Sequence, residues 1–183
     1  YLKYPHYADS LIQSTRSLSV LKSEENFSVI KLEEERQRLS NLFRNHGYYY
    51  YRPEFTTYRA DTLQKSGYVS LQVLPRNGIP AEAKKQYYIG NTSVYLTGYD
   101  NEPPTDTLRL RTMTFYYSGK KPGIRPNALM RNVFFRKGEL FSQDRQTFTQ
   151  EAIARMGVFR YSEFRYEPKD TTVNGDTLNV NMY

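Results

Sequence analysis

The chain has no cysteine and no tryptophan in its 183 residues. Without cysteine there is no disulfide framework and no thiol chemistry. Only two histidines occur, His6 and His46, far apart in the chain, and no acidic cluster stands at ligand spacing. A zinc or calcium site therefore has no support, and no metal or other cofactor is expected. Neither a Gly-x-Gly-x-x-Gly nor a phosphate-loop pattern is present. No serine sits in a nucleophile-elbow context. Glu33, Glu34 and Glu35 are consecutive, so on a helix their carboxylates point in different directions and read as a solvated face. An enzyme reading has no residues to stand on, and no small-molecule substrate is expected. No apolar run approaches the ~18 residues of a membrane span, and no signal peptide opens the chain. It starts in mid-pattern, so a fragment of a longer protein is expected.

What the chain has is tyrosine and positive charge. There are 18 tyrosines, the formal net charge is +7 and the pI is about 9.4. Basic charge with many aromatics suits a single-stranded nucleic-acid binder. The plainer reading is a solvated basic surface with Tyr on half-exposed strands, where its amphipathic ring fits. The scattering of Lys and Arg along the chain favours the plainer one. The most unusual stretch is Tyr48 to Tyr58, expected as a strand that Pro53 demotes to an edge or a bulge. It reads either as one strand covering the helices or as an edge that accepts another strand.

The chain also repeats itself, which is read first when domains are sought. One copy runs from Phe27-Ser28 through a charged helical pattern to Gly47. The second runs from Phe141-Ser142 to Gly157. Glu54-Phe55 and Asp61-Thr62 recur as Glu163-Phe164 and Asp170-Thr171. Each copy ends in an alternating strand, Val69 to Val73 and Thr177 to Tyr183. Ser28 and Ser142 are N-cap candidates, and Gly47 and Gly157 stand where a left-handed cap is wanted. Leu32, Leu39, Leu42 and Phe43 share one face of the first helix, and Phe148, Ala152 and Met156 recur at four-residue steps in the second. Expected core residues are Leu39, Phe43, Leu71 and Val73 in the first copy, and Phe148, Met156, Leu178 and Val180 in the second.

Taken in order, a short helix is expected over Ala8 to Leu21, capped by Asp9 or Ser10. A linker follows the first copy at Pro75 to Gln86. Tyr87 to Leu96 reads as a new strand, Thr107 to Tyr117 as an extra strand, and Pro126 opens a helix that Arg136-Lys137-Gly138 ends. Val158 to Glu167 reads as the strand after the second helix. The second unit is thus strand, helix, helix, strand, strand. The first has the same order but no convincing opening strand.

That repeated order resembles the POTRA (polypeptide-transport-associated) domains of BamA-like outer-membrane protein assembly factors. The resemblance rests on Ala154-Arg155-Met156-Gly157-Val158-Phe159 and Arg44-Asn45-His46-Gly47-Tyr48-Tyr49, similar to the family's helix exit, and on Tyr88-Ile89-Gly90-Asn91 with Val94, similar to its opening strand. It implies an α+β fold of two tandem domains, each a small mixed sheet packed on two helices. These would span 1–78, without an opening strand, and 79–183, with an insertion at about 99–123. The resemblance further implies a non-enzymatic periplasmic scaffold of a Gram-negative outer-membrane protein. It would guide unfolded outer-membrane polypeptides and dock accessory lipoproteins or the barrel of the same chain. By the same analogy the second strand of each domain is an edge. The expected polypeptide-binding residues are Arg160, Tyr161, Ser162, Glu163, Phe164, Arg165 and Tyr166, together with Tyr49, Tyr50, Tyr51, Arg52, Phe55 and Thr57. A proline at Arg165 is expected to be tolerated if that N–H faces solvent.

Overall fold

A computed structural model describes residues 3–63, 67–96, 103–159, 161–169 and 175–183. The chain divides into two compact units, Tyr1–Lys85 and Gln86–Tyr183. The boundary lies beyond the expected 78/79. The stretch after Gly78 forms a short 3-10 helix, Ala81–Lys84, and Ile79 and Ala83 are buried.

Unit 1 contains α1 (His6–Ser14), α2 (Val29–Asn45), β1 (Thr56–Asp61) and β2 (Ser70–Pro75). Ser28 caps α2: its hydroxyl accepts from the Lys31 N–H, satisfying one of the donors that a helix start leaves unpaired. At the other end Gly47 takes φ 94, a left-handed conformation that costs glycine nothing. Glu35, Leu39, Ser40 and Phe43 form the buried stripe of α2. Around Phe43 gather Tyr4, Tyr48 and Tyr51, with ring centroids 5.6, 5.5 and 4.4 Å away. Leu71 and Val73 are half-buried. α1 is shorter than expected and its N-cap is Pro5, not Asp9 or Ser10; the turn after it is a 3-10 helix, Arg16–Leu18.

The expected strand at Tyr48 to Tyr58 is corrected. Residues 48–52 form turns and irregular backbone, Pro53–Phe55 is a 3-10 helix, and the strand begins at Thr56. Aromatic β-propensity is overridden here because Tyr48 and Tyr51 are drawn into the Phe43 core and Pro53 opens a helical turn. Only two strands pair in unit 1 among the described residues, β1 antiparallel to β2.

Unit 2 contains β3 (Tyr88–Leu96), β4 (Asp106–Leu110), β5 (Met113–Tyr117), α3 (Pro126–Arg131), α4 (Gln143–Arg155), β6 (Phe164–Pro168) and β7 (Thr177–Met182). They form a mixed five-stranded sheet in the order β4-β5-β3-β7-β6. β3 is parallel to β5 and β7, while β4–β5 and β6–β7 are antiparallel. The expected single strand Thr107 to Tyr117 is two strands, with Arg111 at φ 53 in the turn between them. No glycine or proline announces that turn in the sequence. Along β3 the pairing with β7 shifts between Ile89 and Thr92. Gly90 lies at this bulge, where a Cβ would meet the Asn179 side chain at 2.5 Å. The helix expected to run on to Gly138 ends at Arg131.

Strand alternation decides the core of unit 2. Val94, Phe115, Leu178, Val180 and Met182 are buried on one sheet face, with Leu129 of α3 and Ala152 and Ile153 of α4. Phe148, expected in the core, is 55% exposed, and Met156 is half-buried. The buried stripe of α4 is Thr149, Ala152 and Ile153; it keeps the expected Ala152, while Thr149 and Ile153 take the places expected of Phe148 and Met156. Thr149 earns that place by its hydrogen bonds: its hydroxyl accepts from the Phe134 N–H at 3.0 Å and donates to the Arg145 carbonyl at 2.7 Å. The repeat extends to this detail. Glu35 follows its capping serine by seven residues (35 − 28), as Thr149 does (149 − 142), and accepts the N–H of Val20 at 3.0 Å. In both units the donor lies 15 residues upstream.

Candidate functional site

β6 is one edge of the five-stranded sheet, with β7 on its inner side. Glu163 and Tyr183 exchange both backbone bonds at 2.9 Å, and the Lys169 N–H reaches the Thr177 carbonyl at 2.8 Å. In an antiparallel ladder such pairs alternate. Arg165 and Glu167 therefore bond inward to β7, and Phe164 turns its N–H and C=O to the outer side. A proline at Arg165 would consequently break the β6–β7 ladder, contrary to the expectation that it is tolerated.

The side chains of β6 divide by face. Phe164 and Tyr166 point to the core, edge-on to Phe135 and Phe141 at 6.3 and 5.3 Å between centroids. Arg165 and Glu167 are exposed on the opposite face. Arg165 donates to Glu163 at 2.7 and 3.1 Å, and these bonds hold the Glu163 carboxyl below its ordinary value. The charges at this edge deter self-pairing of the strand.

The Arg165 guanidinium also lies 4.9 Å from the centre of the Tyr183 ring. From there a row of stacked rings crosses the sheet. Tyr183 stacks on Tyr95 and Tyr95 on Tyr116, each at 4.7 Å and 9°. Burial beside these neighbours pushes the Tyr95 phenol up. Sequence reasoning missed this ladder. Tyr116 and Tyr95 stand on β5 and β3 and Tyr183 just follows β7, and only the register of these three neighbouring strands brings them into one row.

The expected residues separate as follows. Phe164, Arg165 and Tyr166 lie in β6, and Glu163 extends its ladder by one pair; Tyr161 and Ser162 precede it as irregular backbone. Arg160 lies outside the described residues, as do Asp170 and Thr171 of the repeat. In unit 1 Thr57 is in β1, but Tyr49, Tyr50, Tyr51, Arg52 and Phe55 are not on a strand and form no edge. Tyr51 is instead buried, its hydroxyl 2.9 Å from that of Thr56.

Among the described residues no group of three metal-ligating side chains comes together, and no helix is long and apolar enough to cross a membrane. No protein-family model matches the sequence, and no curated protein matches it. Solved structures do resemble it. BamA from Haemophilus ducreyi lacking POTRA domains 1-3 is 11% identical with a TM-score of 0.57, covering 94% of this chain and 26% of that one. The chain thus spans about a quarter of that protein's length. POTRA1-3 of the periplasmic domain of Omp85 from Anabaena is 14% identical with a TM-score of 0.42, covering 97% of this chain and 56% of that one. At the level of fold, which is what the first of these likenesses carries, the chain is POTRA-like, an α+β protein of helices and two small sheets.

Proposed function

We propose that this chain is a non-enzymatic scaffold module on the periplasmic side of an outer-membrane assembly or translocation barrel. It guides unfolded outer-membrane polypeptides by pairing with them along β6, and it docks partner subunits of the same machinery. The observation that carries the reading is the edge position of β6, with outward backbone groups at Phe164 and a charged outer face. Backbone pairing at such an edge takes any extended segment, which suits clients of varied sequence. The POTRA-like fold supports the setting.

Single-stranded nucleic acid is the reading that this geometry disfavours. Such binders offer ring faces on which bases stack. Here Tyr95 is covered on both faces by Tyr116 and Tyr183, and Arg165 lies over Tyr183.

The test is to titrate an unfolded, alternating outer-membrane-type peptide while following amide hydrogen exchange. Slowed exchange at Phe164 is expected. Phe164→Pro removes the outward donor and should lose binding, whereas Phe164→Val keeps it and should bind. Equal binding by both folded variants would overturn the edge assignment. Affinity that falls steeply with salt and is matched by single-stranded DNA would favour the nucleic-acid reading.

A further inference from the structure

Phe164 determines how a paired strand would lie on β6. Its N–H and C=O turn outward, so it forms a hydrogen-bonded pair with one residue of an incoming antiparallel strand. Glu163 bonds inward to Tyr183, and Arg165 bonds inward to β7. The residues that come to face them across the new edge therefore belong to non-hydrogen-bonded pairs. Side chains approach most closely in such pairs, with Cα atoms about 4.5 Å apart. What surrounds Glu163 and Arg165 thus decides which client side chains fit.

Three side chains converge there, on the sheet face opposite the core. The Glu163 carboxylate accepts from the Arg165 guanidinium at 2.7 and 3.1 Å and from the Tyr161 hydroxyl at 3.4 Å. Tyr161 and Arg165 flank Glu163 in the chain, and both stay open to solvent: Tyr161 is 69% exposed and the Arg165 side chain 57%. The guanidinium also lies 4.9 Å from the centre of the Tyr183 ring, where the stacked row begins. Two bonds to Glu163 and that ring hold it in place before any partner arrives, so a partner does not have to order it.

This arrangement favours one kind of side chain. A carboxylate arriving opposite Glu163 meets a like charge. A lysine or arginine finds the Glu163 carboxylate already bonded and Arg165 beside it. An aliphatic side chain gains contact area alone. An aromatic ring takes the guanidinium on its face, packs against Tyr161, and extends the row of Tyr116, Tyr95 and Tyr183 by one member beyond Arg165.

We infer that Tyr161, Glu163 and Arg165 form a slot for an aromatic residue of the client strand, with Arg165 as the residue that sets the specificity. The inference rests on strand pairing along β6. Backbone bonds at Phe164 hold any extended segment, and the slot sets the register by placing one aromatic residue opposite Glu163. Glu163 acts through Arg165, as a positioning residue.

The experiment uses the whole chain and three alternating Val-Thr peptides of equal length, in which one central Thr is replaced by Phe, Leu or Glu. The Phe peptide should bind about two- to fivefold more tightly than the Leu peptide, and the Glu peptide should bind most weakly. Arg165→Gln should bring the Phe peptide down to the level of the Leu peptide and leave the Leu peptide within about twofold of its parent affinity. Equal binding of the Phe and Leu peptides by the parent chain would overturn the inference and leave strand pairing at β6 standing. So would an Arg165→Gln variant that weakens all three peptides alike, because Arg165 would then serve the strand and not the choice of client. Binding of none of the three would remove the pairing along β6, and the slot with it.

Discussion

Phe27 and Phe141 hold the same place in the two copies, one residue ahead of a capping serine, but Phe141 is buried and Phe27 is exposed. The helices that follow are built alike. What differs is the strand beside them: β3 fastens the residues before α4, and no described strand does so before α2. Local signals thus repeat faithfully, while burial depends on a partner far away in the chain.

The largest expected effect tests this difference directly. Phe141→Ala should cost about 3–5 kcal/mol in urea unfolding, as for a large ring removed from a closed core. Phe27→Ala should stay within about 0.5 kcal/mol. The anchor of unit 1 is Phe43, ringed by three tyrosines, and Phe43→Ala should match Phe141→Ala. Equal losses from Phe27→Ala and Phe141→Ala would remove the contrast between the two units.

A second pair sharpens the comparison through pH. Glu35 and Thr149 perform the same task, each accepting a backbone N–H 15 residues upstream, and only one of them titrates. Burial alone would raise the Glu35 carboxyl. Arg38, with two hydrogen bonds of 2.7 and 2.9 Å and its charge, outweighs it together with the Val20 N–H and the Ser19 hydroxyl, so the net value lies below the ordinary one of 4.5. A lowered folded pKa contributes stability above the unfolded value and loses it as pH falls through the folded one. Glu35→Gln and Thr149→Val should each cost about 1–3 kcal/mol near neutral pH. Between pH 7 and 3 the Glu35→Gln gap from the parent chain should shrink, and the Thr149→Val gap should hold. A Glu35→Gln gap that is constant with pH would show that its charge does not matter to folding.

Much of this architecture was legible because it is local. Ser28, Ser142, Gly47 and Gly157 marked helix ends through the chemistry of capping. The alternation at Leu178 and Val180 set a buried face. What failed was decided at longer range. Tyr48 to Phe55 looked like a strand until Phe43 took Tyr48 and Tyr51 into the core. The phase of α4 followed Thr149, because a hydroxyl with two partners outcompeted the Phe148 ring for the buried stripe. Of the candidate site, the strand character of Phe164 to Tyr166 was visible. The inward bonding of Arg165 and the tyrosine ladder were not, since both depend on register between distant strands.

The smallest expected effect asks whether the caps are as local as they look. Ser28 and Ser142 have nearly the same backbone, φ −141 with ψ 121 and 124, and each accepts the N–H three residues on. Ser28→Ala and Ser142→Ala should therefore each cost about 1 kcal/mol. Yet the chain ahead of Ser142 is fastened to β3, and among the described residues no strand fastens the chain ahead of Ser28. If capping depends only on the first helical turn, the two losses agree to within about 0.5 kcal/mol. A clearly smaller loss at Ser28 would mean that the bonds from β3 to the segment ahead of Ser142 help to hold that cap.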